Sequence, residues 1–338
     1  MSRRLRVDAE DQVRVRPPRR GSRPRTKQRP DHADARCGTV TTVDRGRYDV
    51  LLDTGRQIRA MKARELGRAP IVVGDRVDVV GDTTGRPDTL ARAVRVHQRT
   101  TTLRRSADDS DDAVERVLVA NADRLVVVTA LADPQPRPRM IDRCLVAAYD
   151  AGMDPLLCLT KADLADPESF AARYRALNIP AFATVLRSGR IEGLERLRAA
   201  LIGHTSVLIG HSGVGKSTLV NALVPAAGRS TGGVNEVTGR GRHTSSSALA
   251  LSLPQGGWVI DTPGVRGFGL AHIEPDDLLK GFDDLAQIAR DCPRGCHHTS
   301  DAPDCALDSW SATAASPAGR ARLTSFRRLL ASRSSDRD

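Results

Sequence analysis

Residues 210–218 read GHSGVGKST, and this short run limits the fold more than any other stretch of the chain. It fits G-x-x-x-x-G-K-S, follows the apolar run SVLI and opens the helical pattern STLVNAL. Strand, glycine-rich turn and helix N-terminus in that order make a cradle for phosphate groups. Gly210, Gly213 and Gly215 let backbone amides come close to the phosphates, with His211, Ser212 and Val214 completing the turn. Lys216 is placed to reach the terminal phosphates, the Ser217 hydroxyl suits Mg2+, and Thr218 continues into the helix.

Such a loop belongs at the end of a strand in a parallel sheet, and the neighbouring sequence agrees. From about residue 113, short apolar runs (DRLVVVTA, PLLCLT, PAFATV, GWVID) alternate with helical patterns (RMIDRCLVAAYDAG, ESFAARYRAL, GLERLRAALI). That alternation implies a parallel sheet with helices on both faces. GWVI leads into DTPG at 261–264. There, Asp261 suits a magnesium-linked carboxylate and Gly264 a sensor of the terminal phosphate. PLLCL leads into TKAD at 160–163. Asp163 can accept hydrogen bonds from the N1 and N2 groups of guanine, and the Lys161 stem can lie over the base. Thr160 and Ala162 complete that loop. Together the three motifs point to GTP, although the base loop precedes the phosphate loop, the reverse of the usual order.

Upstream, residues 36–103 break into about five short runs with partial period-two alternation, punctuated by Gly and Asp. They predict a small closed barrel, of OB type or nearly as well SH3-like. QRTTTLRRS then leads into the acidic linker ADDSDD. Residues 1–35 form a basic tail that should be disordered: within 1–30, 11 Lys or Arg face three acidic residues. That net of +8 leaves only +3 of the chain's +11 for all the rest. No run is long enough to cross a bilayer and the N-terminus has no apolar secretory signal, which predicts a cytoplasmic protein. Of 52 basic residues only five are lysine, and Lys161 and Lys216 are two of them.

Three of the six cysteines, Cys292, Cys296 and Cys305, fall within CPRGCHHTSDAPDC at 292–305, beside His297 and His298. Clustered Cys and His in a chain without a signal peptide read as metal ligands rather than disulfides. Three thiolates and one imidazole make a closed, structural zinc site.

GHSGVGKSTLVNAL, GRGRHTSSS and DTPGVRGFGL, in this order after TKAD, resemble the circularly permuted GTPases. From about residue 36 onward the chain resembles the ribosome small subunit-dependent GTPase A (RsgA) family. That resemblance implies a multidomain protein. An OB-like barrel would occupy 36–103, an α/β permuted P-loop GTPase domain 107–272, and a mostly helical zinc-binding domain 273–338. It implies a monomeric GTP hydrolase using Mg2+ and one structural Zn2+. Its partner would be the small ribosomal subunit and its rRNA, and its role a late-assembly checkpoint stimulated by the subunit. The residue after DTPG is Val265, which cannot orient water as a Gln would. His243 matches the family's proposed catalytic His. The family's HTTT is HTSS here, so the magnesium-ligating hydroxyl is Thr244 or Ser245. The zinc pattern is C-x3-C-x-H-x6-C instead of C-x4-C-x-H-x5-C, and C-x-H selects His298. The base loop departs at Thr160, where Asn is usual. The third base-contacting loop lies somewhere in ATVLRSGRIEGL. Two other readings fit the P-loop: a small-molecule kinase or ATPase, disfavoured by TKAD, and a non-catalytic RNA-binding switch that holds GTP.

Overall fold

The structure, a computed structural model, describes residues 32–105, 116–225, 248–262, 268, 270 and 273–334. The chain divides into Met1–Ala33 and Asp34–Asp338, and every element below belongs to the second unit.

Five strands come first: β1 (Arg36–Asp44), β2 (Arg47–Leu52), β3 (Gln57–Lys62), β4 (Arg76–Gly81) and β5 (Ala91–Val96). Their order is β1-β2-β3-β5-β4, and β4 returns to pair with β1, which closes a barrel. β3 and β5 run parallel and the other pairs antiparallel. This Greek-key order with one parallel pair is the OB arrangement rather than the SH3-like one. The alternation that announced the strands sorts their side chains. In β2, Tyr48, Val50 and Leu52 are buried, and in β3, Ile58 and Ala60 are. They meet Val40, Val77, Val79 and Ala93 inside the barrel. Arg45 and Gly46 both have positive φ, 43° and 80°, as a two-residue hairpin turn requires. Gly38 has no room for a side chain, because a Cβ there would lie 2.7 Å from the Leu51 carbonyl oxygen.

Next come β6 (Thr102–Arg105) and β7 (Arg116–Ala120), an antiparallel pair. β8 (Arg124–Ala130), α1 (Pro138–Asp150), β9 (Asp154–Thr160), α2 (Pro167–Arg175) and β10 (Ala181–Ala183) follow. A small hairpin, β11 (Val185–Arg187) with β12 (Arg190–Glu192), leads to α3 (Leu194–Leu201). β13 (Thr205–Gly210), α4 (Lys216–Leu223), β14 (Leu249–Ser252) and β15 (Trp258–Asp261) complete the sheet. Its order is β10-β9-β8-β13-β15-β14, parallel throughout except for β14. β8 shows why its sequence is nearly all apolar. Leu125 and Val127 enter one core, Val126, Val128 and Ala130 the other, because helices cover both faces. One register pair, Thr42 with Leu249, joins β1 of the barrel to β14.

Four helices follow: α5 (Pro275–Leu279), α6 (Asp283–Ala289), α7 (Ala306–Thr313) and α8 (Pro317–Ser334). They share one core with α1 and one face of the sheet. Phe282 sits between Tyr149 of α1 and Phe326 of α8, with ring centroids 5.3 and 5.2 Å away. The Arg322 guanidinium covers the same ring at 4.9 Å. Among the described residues no helix is long and apolar enough to cross a membrane.

Candidate functional site: a nucleotide cleft and a thiolate–imidazole cluster

The phosphate loop leaves the C-terminal end of β13 and turns into α4. Gly210 starts it where backbone nearly touches backbone, since a Cβ there would lie 2.6 Å from the Val128 carbonyl oxygen. Gly213 and Gly215 have φ of 83° and 87°, a conformation that aims successive amides into one concavity. Gly215 is also the N-cap of α4, so the positive end of the helix faces the same space. Between the glycines the Val214 side chain is buried and anchors the turn. His211 stays at the rim, its Nδ1 3.1 Å from the Ser212 carbonyl oxygen.

Lys216 opens α4 and forms an ion pair with Asp261, the last residue of β15. The Lys216 amine also lies 3.3 Å from the Thr262 carbonyl oxygen. Asp261 is 1% exposed, and β13 and β15 are paired with Leu208 opposite Asp261. Thr262 donates its hydroxyl to the Leu208 carbonyl at 2.9 Å, which fixes the first step of the DTPG segment. A buried carboxylate beside an ammonium, at the mouth of an amide-lined turn, is a donor set suited to Mg2+ and phosphate together. Gly264, His243, Thr244 and Ser245 lie outside the described residues.

The TKAD loop leaves the end of β9, two strands from β13. Thr160 is buried, and its hydroxyl donates to the Val214 carbonyl of the phosphate loop at 2.6 Å. It also lies 3.3 Å from the Thr129 carbonyl oxygen. Thr160 thus ties the two loops together, a task for which Asn is not required. Lys161 has a positive φ of 53°, and its amine donates to the carbonyl of Asp133 in the loop after β8. Asp163 is exposed at the mouth of the cleft. Main-chain bonds bring Thr184, within the stretch expected to hold a third loop, beside TKAD. The Thr184 amide donates to the Leu159 carbonyl at 2.8 Å, and the Ala162 amide to the Thr184 carbonyl at 3.2 Å. Residues 184–186 therefore run beside TKAD.

In the tail, the structure brings Cys292, Cys296, His298 and Cys305 together, with all ligand atoms within 4.8 Å of one another. Cys292 Sγ lies 3.6 Å from His298 Nδ1 and 4.0 Å from Cys305 Sγ. Tetrahedral zinc with bonds of about 2.3 Å to sulfur and about 2.0 Å to nitrogen spaces its ligands about 3.5–3.8 Å apart. His297 points to solvent while His298 is 3% exposed. The far nitrogen of His298 faces Asp276 Oδ1 at 3.3 Å, an outer carboxylate that fixes the ring. Burial, and then the neighbouring Cys305 and Cys296 sulfurs, push the Cys292 thiol up to about 11. A bound cation would offset that rise and favour the Cys292 thiolate.

The barrel surface is basic. Arg45, Arg47, Arg56, Arg86 and Arg92 are exposed, whereas Tyr48, the one barrel aromatic, is buried in the core. That face offers guanidinium groups and no exposed Phe, Tyr or Trp among the described residues.

Comparison with known proteins agrees with this geometry. The RsgA GTPase family model matches residues 96–271. The chain is 42% identical over 229 residues to a protein of Pseudomonas putida named small ribosomal subunit biogenesis GTPase RsgA. That match covers 65% of this chain and 64% of the relative, so it spans just under two thirds of the relative's length. The protein of the same name from Pseudomonas syringae pv. tomato is 40% identical over 244 residues, covering 70% of this chain and 68% of the relative. The crystal structure of YjeQ from Thermotoga maritima superposes with a TM-score of 0.62 at 27% identity, covering 88% of this chain and 99% of that one. YloQ, described as a circularly permuted GTPase, gives 0.63 at 21% identity over 91% and 98%, a likeness of fold. A largely parallel sheet that carries TKAD ahead of GHSGVGKS, with a closed barrel before it and a Cys–His cluster behind it, agrees with the family match, and this chain belongs to the RsgA GTPase family.

Proposed function

We propose that the chain is a GTP hydrolase of small-subunit biogenesis, stimulated by the small ribosomal subunit and serving as a late-assembly checkpoint. The observation that carries this reading is the Thr160–Val214 bond. It holds a guanine-type loop and a phosphate loop at the C-terminal ends of parallel strands, where such sheets bind nucleotides.

In this reading Asp163 accepts from the guanine edge, the Lys161 stem covers the base, and residues 184–186 complete the pocket. Residues 210–218 wrap the phosphates with their amides. Lys216 exchanges its ion pair with Asp261 for the terminal phosphates. Ser217, Asp261 and one hydroxyl of Thr244 or Ser245 hold Mg2+, which neutralises charge on the phosphate oxygens when bound. Gly264 senses the terminal phosphate. His243 orients the attacking water, since Val265 cannot, and the subunit orders the segment that carries it. Cys292, Cys296, His298 and Cys305 hold one structural Zn2+.

We assign 36–103 to the barrel, 107–272 to the GTPase domain, 273–338 to the zinc-binding domain and 1–35 to a basic tail. The protein works as a cytoplasmic monomer. The barrel and the tail bind rRNA through Arg–phosphate contacts, which makes affinity fall steeply with salt.

The test is hydrolysis of GTP with and without purified small subunits, with ATP in parallel. Strong stimulation with GTP alone is the expected result. Turnover indifferent to subunits, or turnover of ATP, overturns the reading.

A further inference from the structure

We propose that Cys37, Asp78 and His97 form a second cation site, for zinc or a similar borderline transition metal, across the seam that closes the barrel. Cys37 on β1 and Asp78 on β4 are register partners in the very pairing that closes it. Asp78 also pairs with Arg95 on β5, and His97 stands two residues further along, its amide bonded to the Arg76 carbonyl at 2.9 Å. The ligands thus come from β1, from β4 and from the residue just after β5; Cys37 is half-buried, Asp78 is 8% exposed and His97 is exposed.

The spacing suits a shared ion. Cys37 Sγ lies 3.9 Å from His97 Nε2, which lies 2.7 Å from Asp78 Oδ1, and all three atoms fall within 4.8 Å of one another. Tetrahedral coordination needs ligand atoms about 3.3–3.7 Å apart, so only the His–Asp contact must open, by well under about 1 Å. One sulfur, one imidazole nitrogen and one carboxylate oxygen match zinc. Magnesium and calcium prefer oxygen alone.

The surrounding charges accommodate a cation. Arg76 donates to Cys37 Sγ at 3.0 Å, but both its terminal nitrogens also meet the Asp53 carboxylate at 2.7 Å, which offsets its charge. An N–H directed at sulfur is a contact that a metal-bound thiolate keeps. Arg95 meets the other Asp78 oxygen at 3.2 Å and leaves Oδ1 to His97. Burial raises the Cys37 thiol, which makes it a poor nucleophile and argues against a covalent role. Unlike the tail cluster, this site has three protein ligands and keeps a fourth position for solvent. Zinc here should exchange faster and bind more weakly than in the tail.

The test uses the full chain, freed of metal and titrated with Zn2+ against a chromophoric chelator. Two equivalents are expected, the second weaker. Cys37→Ala and His97→Ala should each lose only the weaker one, with circular dichroism unchanged. A measurement on the unaltered protein stands beside it: alkylation of Cys37, followed by mass spectrometry of its peptide. Saturating zinc should slow that reaction by about tenfold or more, because a coordinated thiolate is withdrawn from attack. A single zinc equivalent, two equivalents retained in both variants, or an unchanged Cys37 alkylation rate overturns the proposal.

Discussion

Thr160 offers the sharpest test of how the cleft is assembled. Thr160→Val keeps the shape and deletes the hydroxyl, so the buried Val214 carbonyl loses its 2.6 Å partner. Leaving a buried acceptor unsatisfied costs about 1–3 kcal/mol. The 3.3 Å contact to Thr129 is long and adds little. We take about 1.5 kcal/mol as the working figure. Spread over a unit of this size, that lowers Tm by about 2–3 °C. Part of the cost falls on binding, because the two loops must be held in register to grip one nucleotide. GDP affinity should drop by about three- to tenfold, up to the full 1.4 kcal/mol per decade. Turnover at saturating GTP should fall less than affinity does, since Thr160 meets the phosphate loop at the Val214 carbonyl and not at an amide. Thr160→Asn, with an amide donor able to reach the same carbonyl, should restore both readings. The assays are fluorescent-nucleotide titration and thermal unfolding of the three proteins side by side. If Thr160→Val binds GDP within twofold of the parent and melts at the same temperature, the bond does not couple the loops and the reasoning fails.

Three further outcomes are expected. Lys216→Ala removes the ammonium paired with buried Asp261 and the phosphate contact it would make, and should cut GTP turnover by at least about a hundredfold. Malachite-green phosphate release measures this, and a loss under fivefold would exclude the role. Stripping zinc with a strong chelator should release one ion from the tail per chain, expose three reactive thiols and lower Tm, more readily as pH falls because protons compete for the ligands. Metal analysis with a thiol assay reads this, and a chain whose Tm ignores the chelator refutes it. In Gly281→Ala the new Cβ would sit 2.3 Å from the Tyr149 ring, itself packed at a tilt against Phe282. Overpacking of that kind costs about 1–3 kcal/mol, so calorimetry should show a clear drop in Tm, and an unchanged Tm would mean that the ring moves freely.

Much of the cleft was legible in the chain because each loop carries its own signal next to the strand that ends in it. GHSGVGKS, TKAD and DTPG each follow an apolar run, and β13, β9 and β15 lie where those runs predict. What sequence could not supply was pairing. The Thr160–Val214 bond spans 54 residues, so the departure from Asn carried no local hint of its compensation. The stretch ATVLRSGRIEGL carries no local sign of the hairpin β11–β12, which turns at Ser188 and Gly189 just after Thr184. Only the parallel pairing of β10 on β9 places it. QRTTTLRRS looked like a lead into a linker, yet its last residues form β6, whose partner β7 lies beyond the acidic run. The OB and SH3-like barrels separate only on the parallel β3–β5 pair, which alternation does not encode. Cys37, Asp78 and His97 form no motif at all and meet only through barrel closure.

The packing of α8 against α1 sets the timetable on which this protein can finish folding. The apolar side of α1 is translated well before its cover, since Phe326 and Leu329 come near the end of α8. At about 5–20 residues per second the intervening stretch takes roughly 10–35 s to emerge. Through that interval the nascent nucleotide domain carries an open apolar flank. Once β15 has emerged, its sheet is complete while its outer wall is still missing. A nonsense mutation ahead of Phe326 would leave that flank open for good, with every nucleotide motif intact and the protein still prone to aggregate.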